Sequence, residues 1–442
     1  MEMKAPRGTQ DVLPGRSAAW LRLEAITREV MASFGYREIR TPIFEHTELF
    51  SRGVGEATDV VEKEMYTFED RSGRSITLRP EGTAPVARAY IEHGMHLWPQ
   101  PVKVFYIGPM FRYERPQAGR LRQHYQIGAE ALGSADPALD AEVIVLPIEI
   151  FRRTGLRRFE VHLNSIGCPR CRPVYRERLL AYLRPRADQL CESCQRRLER
   201  SPLRVLDCKV PSCREVTQDA PNAVDSLCDQ CRAHFDALRA HLDRLEVPHV
   251  LDFRLVRGFD YYTRTVVEVL SEDLGAQNAV AGGGRYDGLV ETLGGKPTPG
   301  VGFASGMERA LLAASEAGEP LEEPGWLDVF VASEGEGGRD EALRLLYRLR
   351  RAGLRADVDY QGRSLKAQLK LADRAGARVA VIVGGDQGKD EAARPYVVRH
   401  LGTGQQEQVS ADGIDALLAR WLATEETDSR REPWRSRATA PS

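Results

Sequence analysis

All eight cysteines of this 442-residue chain fall within 64 residues, from Cys168 to Cys231. They come as CPRC (Cys168, Cys171), CESC (Cys191, Cys194), CKVPSC (Cys208, Cys213) and CDQC (Cys228, Cys231). Two thiolates on one short turn reach the same tetrahedral ion, so repeated CxxC pairs in an intracellular chain point to structural Zn2+ rather than to disulfides. Eight thiols can fill one or two such sites. Taking the pairs in chain order puts Cys168, Cys171, Cys191 and Cys194 on the first ion, with interleaved pairing as the alternative. A redox dithiol and scattered reduced cysteines are the rival readings. With zinc bound, the block is expected to serve structure and to lie outside the chemistry.

The whole chain is long enough for about three domains of ordinary size, and its 42% hydrophobic residues can supply their cores. A net charge of −2 provides no global basic field, so any nucleic-acid contact must be local. No run approaches the roughly 18 apolar residues of a membrane helix, and MEMKAPRGTQDVLPG lacks the apolar core of a secretory signal. A cytoplasmic location with no membrane contact is the expectation.

Apolar residues recur at helical spacing over Arg16–Ser33, after which GYREIRTPIFE reads as a strand or extended segment. PVKVFYIGPMFRYE and AGRLRQHYQIGAEALG read as two antiparallel strands joined by an Arg- and Gly-rich loop. Residues 168–245 interrupt this pattern as a cysteine-rich helical insertion. Strand-like sequence resumes in HVLDFRLVRGFDYYTRTVVEVL, returns through AVAGGGRYDGLVETLGG, and leads to an amphipathic helix expected from near Gly302. From Asp328, the segments DVFVAS, a helix over 339–352, LRADVDY, a helix over 364–375 and ARVAVIVGG predict a small parallel α/β domain. SEAGEPLEEPG reads as the linker before it. The expected boundaries are 1–325, 326–425 and a disordered polar tail over 426–442.

Neither common phosphate loop stands in register. GLVETLGGKP, from Gly288, has Pro297 where a P-loop needs a hydroxyl, and GVGFASG, from Gly300, misses the dinucleotide fingerprint by a residue. Both read as turns, so a bound ATP would have to be held by arginines on a sheet. Three segments offer them. LRPEGTAPVAR carries Arg79, Glu81, Gly82 and Thr83; MFRYERPQAGRLRQHYQIGAE carries Arg112, Arg115, Arg120, Arg122, Gln126 and Glu130; GVGFASGMERAL sets Arg309 in a helix. In order and separation these resemble the three motifs of the class II aminoacyl-tRNA synthetases. LVRGFDYYTRTVVE and AGGGRYDGLVETLGG resemble the two signature peptides of the histidyl-tRNA synthetase family.

That resemblance implies an α+β protein: a class II antiparallel-sheet catalytic domain with the helical insertion, followed by an α/β anticodon-binding domain. It also implies ATP-dependent ligation of L-histidine to tRNA(His) through a histidyl-adenylate, with Mg2+ accompanying ATP. A homodimer with GYREIRTPIFE in its interface goes with it. Because a carboxylate must approach a triphosphate, fixed positive charge is the main requirement. Arg112 resembles the α-phosphate arginine, Arg309 the γ-phosphate arginine, and Arg257 the family's additional arginine across the α-phosphate, so that Arg112 and Arg257 are the expected catalytic groups bordering both substrates. Glu81, Gly82, Thr83 and Gln126 correspond to the α-ammonium cradle, Glu130 and Tyr262 to the pair that reads the imidazole, and Tyr261 to a residue completing the pocket. Arg115, Arg120 and Arg122 suit the phosphates of the tRNA acceptor end. The 15 basic and 15 acidic residues of 326–425 make that domain neutral, so its anticodon role rests on resemblance alone. The rival is the noncatalytic, histidine-sensing regulatory subunit of ATP phosphoribosyltransferase, which typically lacks the C-terminal domain and degrades the second signature. Both features are intact here.

Overall fold

The computed structural model describes residues 3–55, 58–117, 119–275, 278–318, 327–384 and 395–423. It divides into two compact units, Met1–Glu322 and Glu323–Ser442. The expected linker falls mostly, and the expected tail wholly, outside the described residues.

Eleven strands build the first unit: β1 Arg37–Glu38, β2 Phe44–His46, β3 Tyr66–Glu69, β4 Ser75–Leu78, β5 Val102–Phe111, β6 Gln123–Leu132, β7 Phe159–Ser165, β8 Val250–Leu251, β9 Thr263–Ser271, β10 Ala279–Arg285 and β11 Gly300–Gly306. Eight of them form one sheet in the order β1-β5-β6-β11-β10-β9-β7-β8, while β2-β4-β3 form a small separate sheet. The six central strands are antiparallel, with short parallel strands at both edges. Side-chain alternation gives the large sheet two faces. On one, Phe105, Ile127 and Phe303 pack with Trp20, Leu23 and Val30 of the helix Arg16–Ser33 and with Leu146 and Ile150 of the helix Pro137–Arg153. That second helix starts where expected of Asp-Pro, the Asp136 carboxylate accepting from the Ala138 N–H at 2.9 Å. The opposite face carries Val104, Tyr106, Tyr261, Tyr262 and Tyr286 under the helices Thr47–Val54 and Thr83–Glu92.

Two expectations for this unit fail. The segment from Gly300 is strand β11, neither a turn nor the start of a helix; the helix is Met307–Glu316. Its glycines answer to packing, since a Cβ at Gly302 would lie 1.9 Å from the Glu130 carboxylate. The sequence HVLDFRLVRGFDYYTRTVVEVL is not one strand either. Only its ends pair, as β8 and β9, and 252–262 form a loop over the second face.

The insertion is helical as expected, with helices Cys171–Leu183, Glu192–Arg200, Pro211–Val216 and Asp229–Arg244. The second unit has strands β12 Val329–Glu334, β13 Ala356–Val358, β14 Val379–Gly384, β15 Tyr396–His400 and β16 Gln406–Val409, ordered β13-β12-β14-β15-β16. The first three are parallel, with helices Gly335–Arg351 and Leu365–Arg374 in the connections. The sheet is nonetheless mixed, because β15 and β16 add an antiparallel hairpin. Val329, Val331, Leu346, Leu349, Val381 and Trp421 form its core.

Candidate active site

Glu130 stands at the centre of the second face. Register places it between Val104 on β5 and Gly302 on β11, and it is 1% exposed. One carboxylate oxygen accepts from the Thr83 hydroxyl at 2.7 Å and from the Tyr106 hydroxyl at 3.4 Å; the other accepts from the Tyr286 hydroxyl at 2.5 Å. Burial outweighs these three donors and pushes the carboxyl up to about 8. Beside it, the buried Glu81 carboxylate accepts from the backbone N–H groups of Thr83 (2.7 Å) and Ala84 (2.8 Å), capping the helix Thr83–Glu92. Burial raises its pKa too. Gly82 is required between them, because a Cβ there would meet the Tyr106 ring at 2.2 Å. The Gln126 side-chain oxygen is buried without a partner among the described residues. Two buried carboxyls and an unused acceptor make a pocket built for a cation bearing N–H donors.

Arginines border this pocket. The Arg112 Nε donates to the Pro80 carbonyl at 2.8 Å, and its guanidinium lies 5.4 Å from the centre of the Phe259 ring. Arg112 is also a source of the positive field that draws Glu81 downward against burial. Arg257 donates to Glu268 at 2.7 Å. Its guanidinium passes over Gly282, where a Cβ would come within 2.4 Å of it. Arg309 emerges from the helix Met307–Glu316 within the fields of Arg120, Glu114 and Glu268, and burial lowers its pKa. Tyr261 and Tyr262 close the pocket with ring centres 4.7 Å apart, and Tyr261 meets Tyr286 edge-on at 5.9 Å.

The sequence-predicted residues Glu81, Gly82, Thr83, Arg112, Gln126, Glu130, Arg257, Tyr261 and Tyr262 therefore share one face, with Arg309 at the arginine end. The three arginines expected at the tRNA acceptor end do not behave alike. Arg115 and Arg120 are exposed, Arg120 pairing with Glu114 at 3.3 Å. Arg122 is turned onto the Tyr113 ring at 3.7 Å, and its N–H is tied to the Gly8 carbonyl. Arg79 is structural, donating to the carbonyls of Thr41 and Pro109. Sequence reasoning missed Tyr106 and Tyr286, which hold Glu130, and Glu268, which holds Arg257. The latter two lie within or next to the signature peptides, but their partners depend on strand register.

The cysteines form two clusters, Cys168–Cys171–Cys228–Cys231 and Cys191–Cys194–Cys208–Cys213, each with all four sulfurs within 4.8 Å of one another. The chain-order grouping of Cys168, Cys171, Cys191 and Cys194 is thus wrong, because the pairs nest. Cys171 and Cys231 pack into one core with Leu227 and Phe235, while Cys194 and Cys213 pack into another with Tyr175 and Leu179. Zinc–thiolate bonds of about 2.3 Å in a tetrahedron put sulfurs about 3.8 Å apart. Separations of 3.6 Å for Cys168–Cys171 and 3.9 Å for Cys191–Cys208 fit that ion. The Cys194 backbone N–H helps to lower Cys191 to about 7, favouring the thiolate that a metal needs. The insertion packs against the catalytic unit. Arg197 and Arg204 pair with Asp59 at 3.1 and 2.9 Å, and Val256, next to Arg257, packs on the second cysteine core.

An antiparallel sheet presenting an acid-lined pocket beside a row of arginines, with no P-loop, is the catalytic architecture of a class II aminoacyl-tRNA synthetase. Comparison with known proteins narrows the class. Residues 8–310 match the histidyl-tRNA synthetase family and 328–421 match an anticodon binding domain. The chain is 56% identical over 405 residues to the histidine–tRNA ligase of Moorella thermoacetica, across 91% of this chain and 95% of that one. It is 55% identical over 422 residues to that of Desulforudis audaxviator, across 95% and 99%. The crystal structure of apo S. aureus histidyl-tRNA synthetase superposes with a TM-score of 0.78 at 40% identity, covering 95% of this chain and all of that one. The chain belongs to the histidyl-tRNA synthetase family.

Proposed function

We propose that the chain joins L-histidine to tRNA(His) in two steps on this sheet face. The observation that carries the reading is the juxtaposition of the buried Glu81 and Glu130 with Arg112 and Arg257, a cation pocket opening onto an anion-binding surface. An amino acid with a protonated α-amine and an imidazole N–H fits the first, and a triphosphate fits the second.

In the first step a histidine carboxylate oxygen attacks the α-phosphorus of ATP. A carboxyl–phosphoryl bond forms, the α–β phosphoanhydride bond breaks, and pyrophosphate leaves with the bond's electrons. No base is required. Arg112 and Arg257 offset the approach of two anions, and Arg309 steadies the γ-phosphate, planar guanidinium groups being suited to gripping two oxygens at once. Mg2+ accompanies ATP chiefly on its phosphates. Glu81, Thr83 and Gln126 accept the α-ammonium donors; Glu130 and Tyr262 read the ring, with Tyr261 completing the wall. In the second step the terminal ribose hydroxyl of tRNA attacks the activated carbonyl and AMP departs. Arg115 and Arg120, both exposed, meet acceptor-end phosphates in this reading, with Arg122 backing the loop, and the unit 326–425 takes the anticodon.

The catalytic domain is assigned to 1–325 with its insertion at 168–245. A homodimer fits the family and gives a role to Ile43, Phe44 and Phe68 on and beside the small sheet, which are 45%, 57% and 49% exposed. Among the described residues no helix is long and apolar enough to cross a membrane, and the cytoplasm is the natural compartment for tRNA charging. The regulatory-subunit reading is not favoured, since the three arginines and the anticodon-binding match are all present. Incubation with histidine, ATP and a tRNA(His) transcript should yield histidyl-tRNA. Failure to charge this tRNA under conditions where the chain is folded would refute the assignment.

Zinc in the two clusters would act as a cross-link between helix starts, coupling metal affinity to folding. Replacing Cys191 and Cys194 together with serine should release roughly one zinc equivalent and lower the melting temperature. A parent protein purified under reducing conditions without stoichiometric zinc would make the clusters a packing feature instead.

A further inference from the structure

The insertion meets the loop that carries Tyr261 and Tyr262 at the CPRC turn. There the N–H groups of Cys171 and Arg172 both donate to the Cys168 carbonyl at 3.0 Å, opening the helix Cys171–Leu183 and fixing where Arg172 leaves the backbone. Its guanidinium is aimed at main chain. One terminal nitrogen donates to the Tyr262 carbonyl and the other to the Asp260 carbonyl at 3.5 Å. The residues just before the turn independently grip the start of β9, into which the loop runs. Gly167 accepts from the Arg264 N–H at 2.9 Å, and the Ile166 N–H donates to the Arg264 carbonyl at 2.8 Å.

What they hold is under strain. Arg264 has φ of 50°, a left-handed conformation that a residue with a long side chain keeps only where its surroundings fix it. Gly167 is itself left-handed at φ 70°, and a Cβ there would come within 2.7 Å of the Cys171 Cβ. The thiol turn and the strained start of β9 are therefore in contact through main-chain hydrogen bonds that tolerate little displacement.

We propose that Arg172 is a positioning residue for histidine binding: mounted on the Cys168–Cys171 turn, it clamps residues 260–264 so that Tyr262 faces the pocket. The proposal rests on reading that pocket as the histidine site. Arg172 meets no reacting group itself, and it sits on the side of the loop that faces the insertion.

The full chain serves for the test, in histidine-dependent pyrophosphate exchange. Losing the two guanidinium donors that hold the Asp260 and Tyr262 carbonyls should raise KM for histidine about tenfold in Arg172→Ala, with KM for ATP held within about twofold. Arg172→Lys keeps the charge but cannot span two carbonyls, so it should fall between parent and alanine variant. If Arg172→Ala does not fold, the lysine variant carries the same comparison. A lowered melting temperature with both KM values unmoved, or an equal rise in both, overturns the proposal. Failure of the functional reading is distinguishable, because it shows as a parent without histidine-dependent exchange.

Discussion

Arg257→Ala should slow histidyl-adenylate formation by about 10²- to 10³-fold while leaving histidine binding largely intact. The guanidinium is half-buried, held at 2.7 Å from Glu268, and given its place by the missing side chain of Gly282. Preorganisation of this kind matters because no group has to move as charge develops at the α-phosphorus. Alanine removes the positive charge and leaves Glu268 unpaired near the incoming phosphates, so both consequences act against the same transition state. Pyrophosphate exchange reports this directly. A variant within a factor of about five of the parent would remove Arg257 from the catalytic role.

Glu130→Gln should weaken histidine far more than ATP. Thr83, Tyr106 and Tyr286 surround this carboxyl group, and an amide in its place keeps a fixed NH2 donor that cannot ionise to meet a ring N–H of the ligand. Separate KM measurements for the two substrates test it, and an equal rise in both would mean general damage. The same variant carries a pH signature. With an ordinary value of 4.5 raised to about 8, Glu130 keeps its proton in the folded chain across a range where the unfolded chain has lost it. Stability from this group is complete below about pH 4.5 and is lost as pH rises through about 8. The glutamine variant should lack that slope, so its melting temperature should fall less than the parent's between those limits. Parallel melting curves would contradict the buried, proton-holding state of Glu130.

Much of this site could be read from residue order, because the class II motifs and the two signature peptides place their side chains by strand alternation. The helix Arg16–Ser33 and the β5–β6 pair were legible for the same reason: their apolar residues repeat with the period of the element they form. Strand β11 was not. Three of its seven residues are glycine, and a run such as GVGFASG carries too few side chains to show a period; it is a strand because Gly302 must clear Glu130 and Gly300 must clear Tyr286. The thiol pairing was hidden for a different reason. Spacing along the chain reports which cysteines share a turn, whereas the partner turn is chosen by how helices Cys171–Leu183 and Asp229–Arg244 pack. Glu268 and Tyr286 were in plain view, yet what they hold depends on contacts across the sheet.

The central claim is that this face makes histidyl-adenylate. Its most direct test is the exchange of labelled pyrophosphate into ATP by the purified full chain, with each amino acid supplied in turn. Label should enter ATP when L-histidine is present and remain near background with the others. A folded chain that binds histidine yet exchanges no pyrophosphate would contradict the claim.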